Sequence, residues 1–102
     1  MILYNVTVKV SNDVHQKWLD WMKSVHIPDV MKTGLFLENK ILRVMNHEQE
    51  QDGFTYAIQY YCEGMMEYNQ YQENHADKLQ KEHTEMFKDK FVAFRTIMKV
   101  ID

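Results

Sequence analysis

Stretches of this chain that alternate apolar and polar residues with a period of two are interleaved with stretches that repeat near 3.6. Their order is two, 3.6, two, two, 3.6, two, and few folds can accept it. Ile2, Tyr4, Val6, Val8 and Val10 alternate with Leu3, Asn5, Thr7 and Lys9, which makes a strand with one strongly apolar face. Ser11-Asn12-Asp13 then offers helix caps, with Gln16 three residues after Asp13 in the spacing of a capping box. Val14, Trp18, Trp21, Met22 and Val25 form one helical stripe. That helix is expected to end near His26, because Pro28 disfavours helical geometry at Ile27. Pro28 to Lys32 reads as a short second helix, opened by the proline and closed by Gly34. Residues 35–46 and 54–62 alternate again, the second run with Phe54, Tyr56, Ile58, Tyr60 and Cys62 on one face. The polar stretch between them contains the turn signal Asp52-Gly53, so the two read as a hairpin. A long helix is expected over residues 65–87, with Met65, Tyr68, Ala76, Leu79, His83 and Met86 along one side and His75 at its edge. Residues 90–101 close the chain as a strand.

The order β-α-β-β-α-β is the ferredoxin-like α+β arrangement. With right-handed crossovers it predicts a four-stranded antiparallel sheet of order 4-1-3-2, with both helices on one face. At 102 residues the chain has room for one such domain, over 1–102, and not for two. The last strand is apolar on both faces: Phe91, Ala93 and Ile97 with Arg95 on one, Val92, Phe94, Met98 and Val100 with Thr96 on the other. Two helices cover only one face of a sheet, and the other is normally wet and polar. A second copy packed against that face, giving a homodimer joined through sheet faces, is therefore expected.

Charge excludes some partners. The net charge is −3, and Lys78, Lys81, Lys88 and Lys90 are interleaved with Asp77, Glu82, Glu85 and Asp89, so no basic stripe for nucleic acid or an anionic membrane forms. Cys62 is the only cysteine, which rules out an intrachain disulfide and fits a reducing compartment. No run approaches the roughly 20 apolar residues of a membrane span, and no signal-peptide pattern precedes the first strand, so the expected location is cytoplasmic.

Several residues are candidates for chemistry. His26 titrates near neutrality and could act as a general base oriented by Asp29; the alternative is a histidine suited to a helix C-terminus. Arg95 lies within an apolar strand and needs an anion, because an unpaired buried charge costs several kcal/mol. A substrate carboxylate or phosphate would supply one, as would an internal acid such as Glu38 or Asp29. Tyr56, Gln59, Tyr60 and Tyr61 crowd the third strand, where packing is the ordinary role and placing a small aromatic or carbonyl ligand is the functional one. A metal site is not expected, since His75 and His83 are eight residues apart, about 12 Å along a helix. His47 with Glu48 and Glu50 reads as a solvated turn, and no Gly-rich phosphate loop is present. Trp18 and Trp21 read as core.

Tyr4-Asn5-Val6-Thr7, Trp18 with His26-Ile27-Pro28-Asp29, Gly34-Leu35-Phe36, Thr55-Tyr56 with Gln59-Tyr60, and Lys90-Phe91-Val92-Ala93-Phe94-Arg95-Thr96 together resemble a family of known outline. Its members are roughly hundred-residue bacterial proteins of unknown function, common in Bacteroidetes, within the dimeric α/β-barrel superfamily. The resemblance runs through the whole chain. It implies the fold, the dimer and a bacterial cytoplasmic setting, and no activity. The wider superfamily holds cofactor-independent monooxygenases, isomerases, haem-degrading enzymes and ligand-sensing modules, and fold alone does not choose among them. In the haem-degrading branch an Asn on strand one and a His on helix two belong to the site; Asn5 and His75 stand in similar places, which makes His75 a candidate ligand residue. The tryptophan of that branch's second helix is missing, so neither haem nor any other cofactor is expected. The resulting expectation is a protein that binds a small anionic organic compound through His26 and Arg95, with Asp29, Tyr56, Gln59 and His75 as further candidates. It is either a cofactor-independent enzyme or a non-catalytic sensing or interaction module.

Overall fold

The computed structural model describes residues 1–45 and 53–102. Its elements are β1 (Ile2–Ser11), α1 (His15–Trp21), α2 (Ile27–Met31), β2 (Glu38–Arg43), β3 (Gly53–Cys62), α3 (Met65–Tyr71), α4 (Asp77–Met86) and β4 (Phe91–Lys99). A 3₁₀ turn, Asn12–Val14, leads into α1. One sheet holds all four strands in the order β2-β3-β1-β4, the expected order read from the other edge, and every pair is antiparallel. Two rods, α1–α2 and α3–α4, cover one face.

Register decides which side chains meet under the rods. Tyr4 lies between Tyr60 and Ile97, and Val6 between Ile58 and Arg95. Because strand side chains alternate, Tyr4, Tyr60, Ile58 and Arg95 share the helix-covered face. Tyr4, Val8, Val10, Ile58, Tyr60 and Cys62 from the strands and Trp18, Met22, Val30 and Leu79 from the rods form the core.

Neither rod follows a 3.6 repeat throughout. Met22–His26 and Gln72–Ala76 are π-helical turns, and the backbone runs on through both. The first helix therefore does not stop at His26. Ile27 stays helical at φ −61°, ψ −45°, and its N–H donates to the Met22 carbonyl five residues back. Pro28 follows directly. The widened turn removes the usual acceptor of the proline's missing N–H and relieves its ring of the clash that breaks an α-helix. Each wide turn also steps the buried stripe by five residues, Met22 to Ile27 and Tyr71 to Ala76. Val25 and Met86, expected inside, are consequently exposed, while Ile27, Tyr71 and Phe87 are buried; Met65, also expected inside, is exposed at the start of α3.

Two smaller expectations also change. The capping box at Asp13 and Gln16 does not form: Asp13 accepts from Lys90 Nζ at 2.6 Å, and Gln16 donates to Asp20 Oδ1 at 3.0 Å. β2 is shorter than residues 35–46, although Leu37 still donates its N–H to the Tyr61 carbonyl at 2.7 Å. The expected turn from His47 to Asp52 lies outside the described residues. Gly34 does close α2, at φ +77°, a conformation that only glycine adopts freely. On the open face of the sheet, Val92 and Phe94 are 67% and 63% exposed, with Met98 farther along β4 and Leu42 at the opposite edge also exposed.

Candidate functional site

Between the rods and the β1–β4 side of the sheet lies a cavity of about 30 Å³, enough for about two waters. Tyr4, Tyr60 and Arg95 line it from the strands, and His26, Tyr71 and His83 from the rods; Val6, Val8 and Ile58 form part of its apolar wall. His26 and Arg95, singled out separately in the sequence, thus border one space.

The first π turn places His26. It keeps His26 over the core while returning Ile27 beside it, and the imidazole stacks on Trp21 with centroids 5.3 Å apart and meets the His83 ring edge-on at 5.7 Å. His83 is 8% exposed, and its Nε2 accepts the indole N–H of buried Trp18 at 2.9 Å. An acceptor Nε2 leaves the proton of a neutral imidazole on Nδ1. Burial pushes both histidines down to about 4. For His26 the Asp29 carboxylate opposes that shift and Arg95 adds to it; for His83, His26 and Arg95 both add to it. Both rings are therefore neutral at pH 7.

Arg95, on edge strand β4, is exposed and not buried as its apolar strand suggests, so solvent lifts the cost that a buried unpaired charge would carry; its charge is still felt by His26, His83, Tyr68 and Tyr71. Among the described residues it makes no ion pair or hydrogen bond. Glu38, the expected internal competitor, is on β2 at the opposite edge of the sheet, in register with Tyr61. Burial and neighbouring phenols raise the Tyr60 and Tyr71 hydroxyls, so both remain protonated donors. The Tyr60 hydroxyl is buried and without a partner. No cluster of three or more His, Cys, Asp or Glu that could hold a metal occurs among the described residues.

The other candidates lie elsewhere. Asp29 and His75 line an outer groove between the rods, together with Lys32, Thr33, Lys78 and Glu82. Asp29 reaches the cavity only through its field on His26. Tyr56 is held by His15, whose Nε2 lies 2.6 Å from its hydroxyl, and packs on Trp18. Gln59 is on the open sheet face, where its Nε2 donates to Asn5 Oδ1 at 3.2 Å. Neither Tyr56 nor Gln59 joins His26 and Arg95, because strand alternation turns Gln59 away and β3 carries Tyr56 toward α1. Asn5 and His75 are likewise on opposite sides of the sheet.

His83, Tyr4 and Tyr71 are the site residues that patterning alone does not single out, whereas Tyr60 is one of the third-strand tyrosines considered for a ligand. Each reads as part of an apolar face. The available signal is chemical: phenols and an imidazole on faces that must be buried need hydrogen-bond partners there.

A family model described as a domain of unknown function (DUF4286) matches residues 1–101. No curated protein matches the chain. Among solved structures it is similar to a dimeric ferredoxin-like protein from an uncultured marine organism (TM-score 0.71, 13% identity, covering 100% of this chain and 96% of that one). An antibiotic biosynthesis monooxygenase is also similar (TM-score 0.71, 7% identity, 100% of both chains). So is the hydroxynitrile lyase of Passiflora edulis (TM-score 0.62, 18% identity, 99% and 96%). At these identities the likeness is one of fold.

Proposed function

We propose that this chain, which belongs to that family of unknown function, binds a small anionic organic molecule in the cavity between His26 and Arg95. In this reading it works as a homodimer joined through the open sheet face. The observation that carries the binding site is Arg95. Its guanidinium faces two neutral imidazoles and buried phenols, and no carboxylate of the described chain pairs with it. A planar, two-point donor in that position suits a carboxylate. The apolar wall and the small volume select a compact ligand, its carboxylate at Arg95 on the exposed side and its remainder directed into the cavity.

His26 supplies the chemistry. An imidazole held at about 4 is a weak base at neutral pH. An anion seated on Arg95 cancels the positive field that helps hold it there, and Asp29 on the outer side already favours its protonated form. Binding thus offsets only the lesser of the two influences that lower His26, burial being the larger; a proton that His26 takes from the ligand leaves the new negative charge beside Arg95. No redox partner is needed for such a step. The second reading is a ligand-sensing module without turnover, favoured by the low basicity of both histidines before a ligand arrives.

Titration calorimetry with pentanoate and pentanamide tests the site. Pentanoate is expected to bind saturably and the amide far more weakly. Arg95→Lys should lower pentanoate affinity by about tenfold, because an ammonium does not reproduce the two-point fork, with the melting temperature unchanged. Absence of saturable binding, or an unaffected Arg95→Lys, refutes the reading. Enzyme-dependent deuterium exchange next to the carbonyl of 4-oxopentanoate, lost in His26→Gln, separates catalysis from sensing. The dimer reading has its own support: Val92, Phe94 and Met98 form an exposed apolar strip on a sheet face that the rods leave open, and one of the similar structures is described as dimeric.

A further inference from the structure

The closed end of the cavity carries information about the ligand that Arg95 does not. Tyr60 is 2% exposed, its hydroxyl has no hydrogen-bond partner, and it lines the cavity. The Tyr56 hydroxyl has His15 and the Trp18 N–H has His83; the other buried side-chain atom without a partner, Gln72 Nε2, does not line the cavity. Buried polar groups without partners are rare, and each calls for a specific explanation.

Around Tyr60 stand the rings of Tyr4 at 6.0 Å and Phe36 at 5.3 Å between centroids, with Tyr71 packed on both of those. Among the described residues, no Lys or Arg other than Arg95 lines the cavity. Arg95 is two strands across and two residues along in register, about 12 Å between α-carbons at ordinary strand spacings. A second carboxylate there would be desolvated without a counter-charge, which is strongly unfavourable. A neutral oxygen would instead accept the phenol's hydrogen bond at little cost.

We propose that the Tyr60 hydroxyl donates to a neutral oxygen of the ligand, so that the ligand class is a short oxo- or hydroxy-carboxylate, its carboxylate at Arg95 and its second oxygen at the closed end. This rests on the reading of the cavity as the ligand site. It adds a specificity-determining role for Tyr60 that the anion-binding reading does not require.

The test compares 4-oxopentanoate with pentanoate, which differ in one carbonyl group. By calorimetry the wild type is expected to bind the oxo acid about tenfold more tightly, the scale of one well-placed hydrogen bond. In Tyr60→Phe the preference should fall below about twofold with pentanoate affinity unchanged. In Arg95→Lys both acids should weaken together and the preference should persist. Because the hydroxyl has no partner, Tyr60→Phe is expected to melt no lower than the wild type. In wild-type protein carrying ¹³C-labelled tyrosine rings, the Tyr60 signal should move with the oxo acid and not with pentanoate, a readout independent of the variant's folding. Equal binding of the two acids, or a preference that survives in Tyr60→Phe, would mean that only water meets the hydroxyl; the inference then fails and the anion site stands. Binding of neither acid overturns both.

Discussion

Stability of the folded chain is expected to fall by several kcal/mol as pH drops from about 7 to about 4, because two imidazoles are folded in their neutral form. His26 and His83 are held at about 4 against an ordinary 6.5. Between those values the unfolded chain binds protons that the folded chain refuses. Stability therefore rises with pH through this window; it is fully present above about 6.5 and fully lost below about 4. At 1.36 kcal/mol per pH unit, a displacement of this size corresponds to about 3 kcal/mol for each histidine, comparable to a large share of a small domain's stability. His15 is lowered in the same direction by burial and by Arg43. The assay is urea unfolding followed by tryptophan fluorescence at a series of pH values and one protein concentration. His83→Gln keeps an acceptor for the Trp18 N–H and is expected to remove roughly half of the pH dependence. A stability constant within about 1 kcal/mol from pH 7 to pH 5, or an unchanged slope in both His83→Gln and His26→Gln, would refute the argument.

Trp18→Ala is expected to destabilise the fold by about 3–5 kcal/mol, since the ring is fully buried and its N–H is the partner of His83; a urea midpoint equal to wild type would contradict this. Light scattering at low micromolar concentration should give about twice the 12.4 kDa chain mass, and Phe94→Asp should return the monomer mass while circular dichroism stays unchanged. Haemin titration is expected to give no saturable 1:1 Soret shift that depends on His75, because Asn5 and His75 are on opposite sides of the sheet; such a shift would reverse that reading.

Strands were legible in the sequence because their side-chain period is two whatever they pack against. Tyr4, Val8 and Val10 are buried as the alternation of β1 requires, and the topology follows from chirality once the element order is read. The pairing of His26 with Arg95 was legible for a related reason. An arginine in an apolar strand and a histidine near a proline are both exceptions to their surroundings, and the right-handed connections bring them to one side of the sheet. Gln59 and Tyr56 were less accessible to such reasoning. Both are polar residues of β3, but Gln59 alternates onto the open face, and Tyr56 has its hydrogen bond with His15, 41 residues away in sequence. A partner at that separation leaves no local signal.

The helices were legible in extent and not in phase, and the loss of phase occurs at the site. At about 100° per residue, a straight continuation from Met22 would carry Ile27 well away from the core while keeping His26 above it. A turn that closes five residues back returns Ile27 over Met22 and leaves His26 beside it, so one turn contributes both a core residue and an imidazole to the same side. The second rod does the equivalent, with Tyr71 at one side of its wide turn and Ala76 at the other, after which Leu79, His83 and Phe87 continue the buried stripe. Periodicity could not report this, since a π turn has no residue signature of its own and here is marked only by a proline that an α-helix would not tolerate. Wide turns are uncommon and have weaker hydrogen-bond geometry than the helix around them, and they recur where function needs them. In this chain the first contributes Met22 and His26 to the cavity, and the second begins directly after Tyr71, which lines it. The departure from helical regularity is thus what lets two packed rods present polar groups to a sheet without giving up the apolar contacts that hold them on it.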